Sequence, residues 1–135
     1  MAPCPPVLFL IFNRPDLTQQ VFERIRQASP RQLFIAADGP RPDIPEDEKL
    51  CLHTRQVTEQ VDWDCQVQIL FRERNLGCKQ AMSSAINWFF EQVDCGIILV
   101  RVSDYIRWLI VEVLPFQKGS TSWQQQHSIY DPFSK

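Results

Sequence analysis

The clearest indication of this chain's fold is the stretch VLFLIFNRPD, residues 7–16. Its first six residues are all apolar, a pattern typical of a strand that other parts of the protein cover on both faces. The polar turn Asn13-Arg14 follows, and the Pro-Asp pair after it provides a favourable first turn for a helix. The stretch therefore predicts a buried strand that leads into a helix. Four apolar residues then recur at helical spacing and are expected to face the core: Leu17, Val21, Ile25 and Ala28.

The same alternation of strand and helix repeats along the first hundred residues. Further strands are expected at 33–37, 65–71 and 96–99, and further helices at 46–61 and 78–93. Every connection between strands is long enough to hold a helix, which favours a parallel sheet with right-handed crossovers and helices on both faces. The third strand alternates polar and apolar residues, so we expect it near an edge of the sheet. The sequence thus predicts an α/β fold built on a parallel sheet.

Composition limits the classes of protein to consider. The chain has 135 residues, of which 44% are hydrophobic and 22% charged, enough apolar material for one globular core. Its formal net charge of −2 gives no strong field that would attract nucleic acid, so we expect no nucleic-acid partner. The apolar run at 7–12 is too short for a signal peptide or a membrane span, and no basic segment precedes it. We therefore expect a cytoplasmic protein with no transmembrane segment.

The cysteines suggest neither a disulfide framework nor a zinc site. There are five, an odd number, and they are widely spaced with no Cys-x-x-Cys pair. We interpret them as reduced thiols.

Parallel α/β sheets bind their ligands at the carboxyl ends of the strands. That rule selects four segments: Asn13-Arg14, Asp38 to Arg41, Arg72 to Lys79, and Val100 to Asp104. The first three are polar and rich in arginine. Neither the glycine-rich dinucleotide fingerprint nor the phosphate-binding loop with its Gly-Lys-Ser/Thr ending occurs in the sequence. A nucleotide would therefore have to be bound in another way.

Three ordered motifs resemble one enzyme family. Residues 6–15, 34–41 and 70–77, the last followed by 81–90, are similar to the N-terminal half of nucleotide-sugar glycosyltransferases of the GT-A type. The closest likeness is to bacterial family-two-like enzymes, with a weaker one to the N-acetylglucosaminyltransferase I group. The resemblance covers Pro6 to Leu99. It implies a Rossmann-like nucleotide-binding half, a UDP-sugar as donor, and transfer of a hexosyl or N-acetylhexosaminyl group.

The resemblance also implies nucleotide-binding residues. Asn13 and Arg14 would lie against the nucleotide, and Asp38 would accept a hydrogen bond from the uracil imide or a ribose hydroxyl, with Gly39 allowing a close approach. On this hypothesis Asp38→Ala weakens nucleotide binding with little loss of fold. Arg74 and Lys79 flank a helix start, where an anion is favoured, and would hold the diphosphate.

Each of these segments also has a purely structural interpretation. Asp38-Gly39-Pro40 is a common turn sequence, and Asn13-Arg14 with the Pro-Asp pair is an ordinary entry into a helix. Arg74 and Lys79 are equally typical of a solvated basic edge. The sequence leaves both interpretations open at every position.

The expected metal site is missing from the sequence. The family carries an acidic cluster after the fourth strand, where oxygen ligands hold Mn²⁺ or Mg²⁺ against the donor diphosphate. Val100-Arg101-Val102 has no carboxylate at this point, and Asp104 is expected in the first turn of a helix capped by Ser103. We therefore predict no metal ligand and no catalytic residue in this chain.

The remaining residues do not resemble the acceptor-binding half of such enzymes. Residues 101–116 have apolar positions at helical spacing, from Ile106 to Leu114, and predict an amphipathic helix. Residues 117–135 are polar and predict a loose tail. We interpret the sequence from Val100 onward as foreign to the ancestral enzyme, through a frameshift, a rearrangement or a truncation.

Three functional hypotheses remain. The favoured one is a glycosyltransferase-like domain that binds a nucleotide sugar but is a truncated or inactive fragment. A second is a transferase subunit that a partner chain completes, with Ile106–Leu114 as the interface. A third is a non-enzymatic α/β binding module that shares only the outline of the fold.

Overall fold

The computed structural model describes residues 5–101 and the strands at 108–113 and 127–130. These residues form three α-helices and six strands. In chain order the elements are β1 (Val7–Ile11), α1 (Pro15–Ala28), β2 (Gln32–Ala37), α2 (Pro45–Val57), a 3-10 helix (Thr58–Gln60), β3 (Gln66–Phe71), α3 (Cys78–Gln92), β4 (Gly96–Arg101), β5 (Trp108–Val113) and β6 (His127–Tyr130).

The six strands form one sheet in the order β3-β2-β1-β4-β5-β6. The first four are mutually parallel, with Phe9 of β1 level with Ile35 of β2 and Leu99 of β4. The predicted α/β fold with a parallel sheet is therefore confirmed. Strand β1 lies inside the sheet, with β2 on one side and β4 on the other.

Helices cover both faces of the parallel strands, as the apolar runs require. Side chains at odd positions of β1 and β2, including Phe9 and Ile35, pack with α1 and the end of α2. Side chains at even positions, including Leu8 and Phe34, pack against α3, where Phe34 meets the ring of Phe89 edge-on with centroids 5.0 Å apart. The continuous apolar strands thus supply two cores, one on each face.

The helix boundaries follow local chemistry. Pro15 begins α1, and Ser29 ends it in the left-handed region with φ 49°, its N–H donating to the carbonyl oxygens of Ile25 and Arg26. Ala28 is exposed, so its predicted place in the core is wrong; it is the last residue of α1. Among the described residues no helix has the length and apolar character needed to cross a bilayer.

The C-terminal part differs from the sequence-based expectation. Residues 108–113, predicted as part of a helix within 101–116, form strand β5, which pairs antiparallel with β4 and places Val111 beside Ile98. The predicted loose tail at 117–135 contains β6, which pairs antiparallel with β5. Strand pairing with β4 overrides the local helical periodicity, and the Trp-Leu-Ile-Val segment has the composition that sheets favour. The predicted cap at Ser103 and Asp104 lies outside the described residues.

Candidate functional site

A cavity of about 570 Å³ opens at the carboxyl ends of the parallel strands. It lies beside the neighbouring strands β1 and β4. The order of the parallel strands reverses direction between these two strands, and α/β sheets form their binding crevice at such a switch point. The described residues that line it come from the ends of β1, β2, β3 and β4, from the loops after the first three of these, and from the first turns of α1 and α3. Its volume falls within the range of about 300–1,000 Å³ that is usual for small-molecule sites.

The cavity has an apolar floor and a basic rim. Leu10, Ala36 and Leu70, one from each of three adjacent strands, lie on the face of the sheet that packs against α3. The described charged side chains in the lining are Asp38 and three arginines: Arg14, Arg41 and Arg72. A flat apolar group with an attached anion fits this distribution of side chains better than a cation does.

Asp38 is held by the protein itself. Its Oδ1 accepts from the backbone N–H groups of Gly39 and Leu76, each at 2.8 Å. Its Oδ2 accepts from Asn75 Nδ2 at 3.1 Å and from the N–H of Gly77 at 3.2 Å. A carboxylate has about four acceptor positions, so the four donors fill them. The Asp38 carboxylate therefore fixes the loop between β3 and α3 at the wall of the cavity.

The backbone of Gly39 lies very close to the backbone of Arg74, which is possible because glycine has no side chain. A Cβ at this position would lie 2.5 Å from the carbonyl carbon of Arg74. The Gly39 carbonyl oxygen also accepts from Asn75 Nδ2 at 2.8 Å. The group that approaches Gly39 is thus the backbone of the β3–α3 loop, and Gly39 is not in the cavity lining.

A second carboxylate, Asp47 in the first turn of α2, forms hydrogen bonds with the loop after β1 and the loop after β2. It is 1% exposed, and its oxygens accept from Asn13 Nδ2 at 3.0 Å and from Arg41 Nε at 2.6 Å and Nη2 at 2.9 Å. The guanidinium of Arg41 and the amide of Asn13 hold the pKa of the Asp47 carboxyl well below its usual range, against the opposing effect of burial. The Arg41 charge is therefore already paired within the protein, and Asn13 is oriented by the same carboxylate.

Arg55 of α2 connects the carboxyl ends of β2 and β3 through hydrogen bonds. Its Nη2 donates to the carbonyl oxygens of Asp38 at 3.1 Å and Arg72 at 2.7 Å. The guanidinium lies 4.8 Å from the centroid of the Phe71 ring, a cation–π distance. Arg55 thus sets the relative positions of the β2 and β3 ends that carry Asp38 and Arg72.

The structure brings together some of the predicted site residues and separates others. Asn13, Arg14 and Asp38 all line the cavity. Arg74 and Lys79 are exposed and lie outside its lining. Arg72 lines the cavity in their place, with its Nη2 donating to Ser84 Oγ of α3 at 3.2 Å.

Arg72, Asn75 and Cys78 line the cavity; they lie within the segment 72–79 selected from the sequence, in which Arg74 and Lys79 were the predicted ligand residues. Arg72 directly follows the last residue of β3, the position that the rule of strand ends favours most strongly. This signal was available in the sequence, whereas the contacts of Asn75 depend on tertiary structure.

The described residues do not fit a divalent cation in this cavity. Asp38 is the sole carboxylate among the described lining residues, and protein donors already fill its acceptor positions. Within the described part of the chain no three His, Cys, Asp or Glu side chains group as a metal site. The donor set that Mn²⁺ or Mg²⁺ prefers, several free carboxylate oxygens, is therefore not assembled here.

Comparisons with models of protein families, with curated proteins and with solved structures give no match for this chain.

Proposed function

We propose that this chain is a glycosyltransferase-like domain that binds a nucleoside diphosphate sugar, with uridine diphosphate as its nucleotide part. The proposal rests on the resemblance of residues 6–99 to the nucleotide-binding half of GT-A enzymes. The single observation that supports it most is the cavity at the carboxyl ends of the parallel strands, with its apolar floor and its arginine rim.

The chemistry of the cavity suits the parts of this ligand. The floor formed by Leu10, Ala36 and Leu70 offers an apolar surface for the face of a base. Arg72 presents a guanidinium, whose planar set of N–H donors matches the oxygens of a phosphate. Helix α3 begins beside it at Cys78 with no acidic residue in its first turn, so the helix dipole adds to the attraction for an anion.

We further propose that the chain binds the donor without transferring the sugar. Transfer by this family relies on a divalent cation that neutralises the leaving diphosphate, and the described cavity has no free carboxylate to hold one. Arg72 stabilises the charge of a bound diphosphate. It does not supply the base that an acceptor hydroxyl needs.

Calorimetric titration with UDP tests this proposal through a matched pair of variants. Arg72→Gln removes a cavity guanidinium, and Arg74→Gln removes an exposed guanidinium two residues along, outside the lining. A hydrogen bond to a charged group contributes about 1.5–3 kcal/mol, which corresponds to a loss of at least about tenfold in affinity. We expect this loss for Arg72→Gln and near-native affinity for Arg74→Gln.

Other outcomes contradict parts of the proposal. A folded wild-type protein that gives no heat with UDP up to millimolar concentration has no such site. If Arg74→Gln weakens binding as much as Arg72→Gln, the diphosphate lies outside the cavity. Circular dichroism of both variants checks that each retains the native fold.

A further inference from the structure

One buried threonine, Thr18 of α1, differs from the other buried threonines of the described chain. Thr54 and Thr58 are 0% and 4% exposed, and their hydroxyls donate to the carbonyl oxygens of Leu50 and Arg55, each at 2.7 Å. A helix commonly satisfies a buried hydroxyl in this way. Thr18 is also 4% exposed, but its hydroxyl has no hydrogen-bond partner among the described residues. Its own helix therefore does not satisfy it.

The Thr18 hydroxyl opens into the cavity, which Thr18 lines. Among the described side chains, Arg55 Nε is the buried polar atom that has neither a hydrogen-bond partner nor contact with solvent. The Thr18 hydroxyl is not enclosed in this way, so it belongs to the small exposed part of its side chain. Because buried polar groups in proteins are normally hydrogen-bonded, we expect the partner of this hydroxyl in the cavity.

Thr18 lies in a part of the cavity that is separate from the apolar floor. The floor is on the face of the sheet that packs against α3. Ile11 and Ala37 also line the cavity, but their side chains belong to the opposite face, which α1 covers. The cavity therefore continues around the strand ends to this second face. We call the part lined by Ile11, Asn13, Thr18 and Ala37 the α1 side of the cavity.

Asn13 adds an acceptor to the α1 side of the cavity. Its Nδ2 donates to the buried Asp47 carboxylate at 3.0 Å, which leaves its Oδ1 without a partner among the described residues. An ionised phosphate has acceptors alone and cannot donate to this oxygen. A sugar hydroxyl can donate to Asn13 Oδ1 and can either donate to or accept from the Thr18 hydroxyl. The two side chains therefore suit the hydroxyls of a sugar ring better than a phosphate.

We propose that Thr18, together with Asn13, binds hydroxyl groups of a sugar ring of the donor. This role of Thr18 rests on the proposed function, and it gives the α1 side of the cavity to the carbohydrate part of the ligand. A nucleoside diphosphate sugar contains two such rings, the ribose and the transferred sugar, and their hydroxyls have the same hydrogen-bonding chemistry. The base, on the apolar floor, is on the other face of the sheet.

Calorimetric titration of the full chain with UDP, UDP-glucose and dideoxy-UDP, which lacks both ribose hydroxyls, tests the role of Thr18. Thr18→Val replaces the hydroxyl by a methyl group of similar size, and Thr18→Ser keeps the hydroxyl. Loss of a neutral hydrogen bond corresponds to a loss of about three- to tenfold in affinity. We expect this loss for Thr18→Val with UDP-glucose. Thr18→Ser with UDP-glucose and Thr18→Val with dideoxy-UDP should both keep the wild-type affinity.

The titration with UDP distinguishes the two rings. If Thr18 binds the ribose, Thr18→Val weakens the binding of UDP and of UDP-glucose by the same factor. If Thr18 binds the transferred sugar, Thr18→Val weakens the binding of UDP-glucose and leaves that of UDP unchanged. Either result supports the proposal and identifies the ring.

Thr54→Val is the matched control, because it makes the same change at a buried threonine outside the cavity lining. It should bind all three ligands like wild type. Equal affinity of wild type and Thr18→Val for UDP-glucose overturns the role of Thr18 and leaves the UDP site intact. A loss that Thr54→Val or Thr18→Ser shares, or that extends to dideoxy-UDP, also overturns this role. A folded wild-type protein that binds none of the three ligands contradicts the proposed function, and the role of Thr18 with it.

Discussion

The Asn75 side chain donates to the Asp38 carboxylate across 37 positions of the chain, with Nδ2 3.1 Å from Oδ2. The same amide donates to the carbonyl oxygen of Gly39 at 2.8 Å. The turn after β2 and the loop after β3 are therefore held together as one wall of the cavity. Asp38 has a structural role in this wall, whatever it contributes to a ligand.

This relationship changes what substitution of Asp38 should do. From the sequence we expect Asp38→Ala to leave the fold almost intact, but the variant removes the acceptor of four hydrogen bonds, three of which come from the β3–α3 loop. Loss of a charged acceptor leaves donors unsatisfied, so we expect destabilisation on the order of 2 kcal/mol. Urea denaturation measures it. Wild-type stability in this variant would show that the loop is held by other contacts.

Because of Asp47, the free energy of unfolding should decrease as the pH falls below the usual pKa of aspartate. Its carboxyl pKa is lowered in the folded state by Arg41 and Asn13, so its contribution is fully present above the unfolded-state pKa of about 3.9. That contribution is lost as the pH falls from there toward the lower folded-state pKa. Asp47→Asn should thus destabilise the protein at pH 7, on the order of 2 kcal/mol, since it removes the charged hydrogen bonds between the buried Asp47 carboxylate and the half-exposed Arg41 guanidinium.

Urea denaturation at pH 7 and at pH 3 checks the expectation for Asp47. The stability difference between wild type and Asp47→Asn should shrink at the lower pH. Asp43→Asn serves as the control, because Asp43 is exposed in the loop just before α2 and should behave like wild type at both pH values. Equal stability of Asp47→Asn and wild type at pH 7 would rule out the stabilising network.

The affinity for UDP should not depend on a divalent cation. The described carboxylate in the cavity, Asp38, has its acceptor positions filled, so Mn²⁺ has no ligand set to join. We expect the same dissociation constant in Mn²⁺ and in EDTA by calorimetry. Affinity that rises with Mn²⁺ would mean that oxygen ligands outside the described residues reach the cavity.

The parallel part of the fold could be predicted from the sequence because local signals agree with tertiary packing there. The run at 7–12 is apolar at every position, Pro15 marks the start of α1, and β2 is similarly uniform. Strand β5 could not be predicted, since apolar residues at 106–114 fit a helical period equally well. Its conformation depends on pairing with β4, which local periodicity does not report.

The C-terminal end of α2 is another feature that the apolar pattern of the sequence does not predict. An α-helix to Val61 is predicted from the apolar positions Val57 and Val61, yet α2 ends at Val57 and a 3-10 helix follows. Val61 still packs against the core. The apolar pattern therefore indicated burial correctly and backbone conformation incorrectly.

The candidate site could be predicted at the level of loops but not of side chains. The rule of strand ends selected the segments that contain Asn13, Asp38 and Arg72. Within them, the sequence does not reveal that Asp38 binds the β3–α3 loop or that Arg41 is paired with Asp47. These pairings join residues from different loops and exist only in the folded chain.

The proposed binding of UDP in the cavity at the carboxyl ends of the strands can be measured directly through two cysteines. Cys78 is exposed and lines the cavity, whereas Cys95 is exposed but lies outside the lining, just before β4. The measurement is the rate at which each thiol is alkylated, with and without saturating UDP, followed by mass spectrometry. If UDP binds in the cavity, it slows alkylation of Cys78 and leaves the alkylation rate of Cys95 unchanged. Equal alkylation of Cys78 with and without saturating UDP would contradict binding in the cavity.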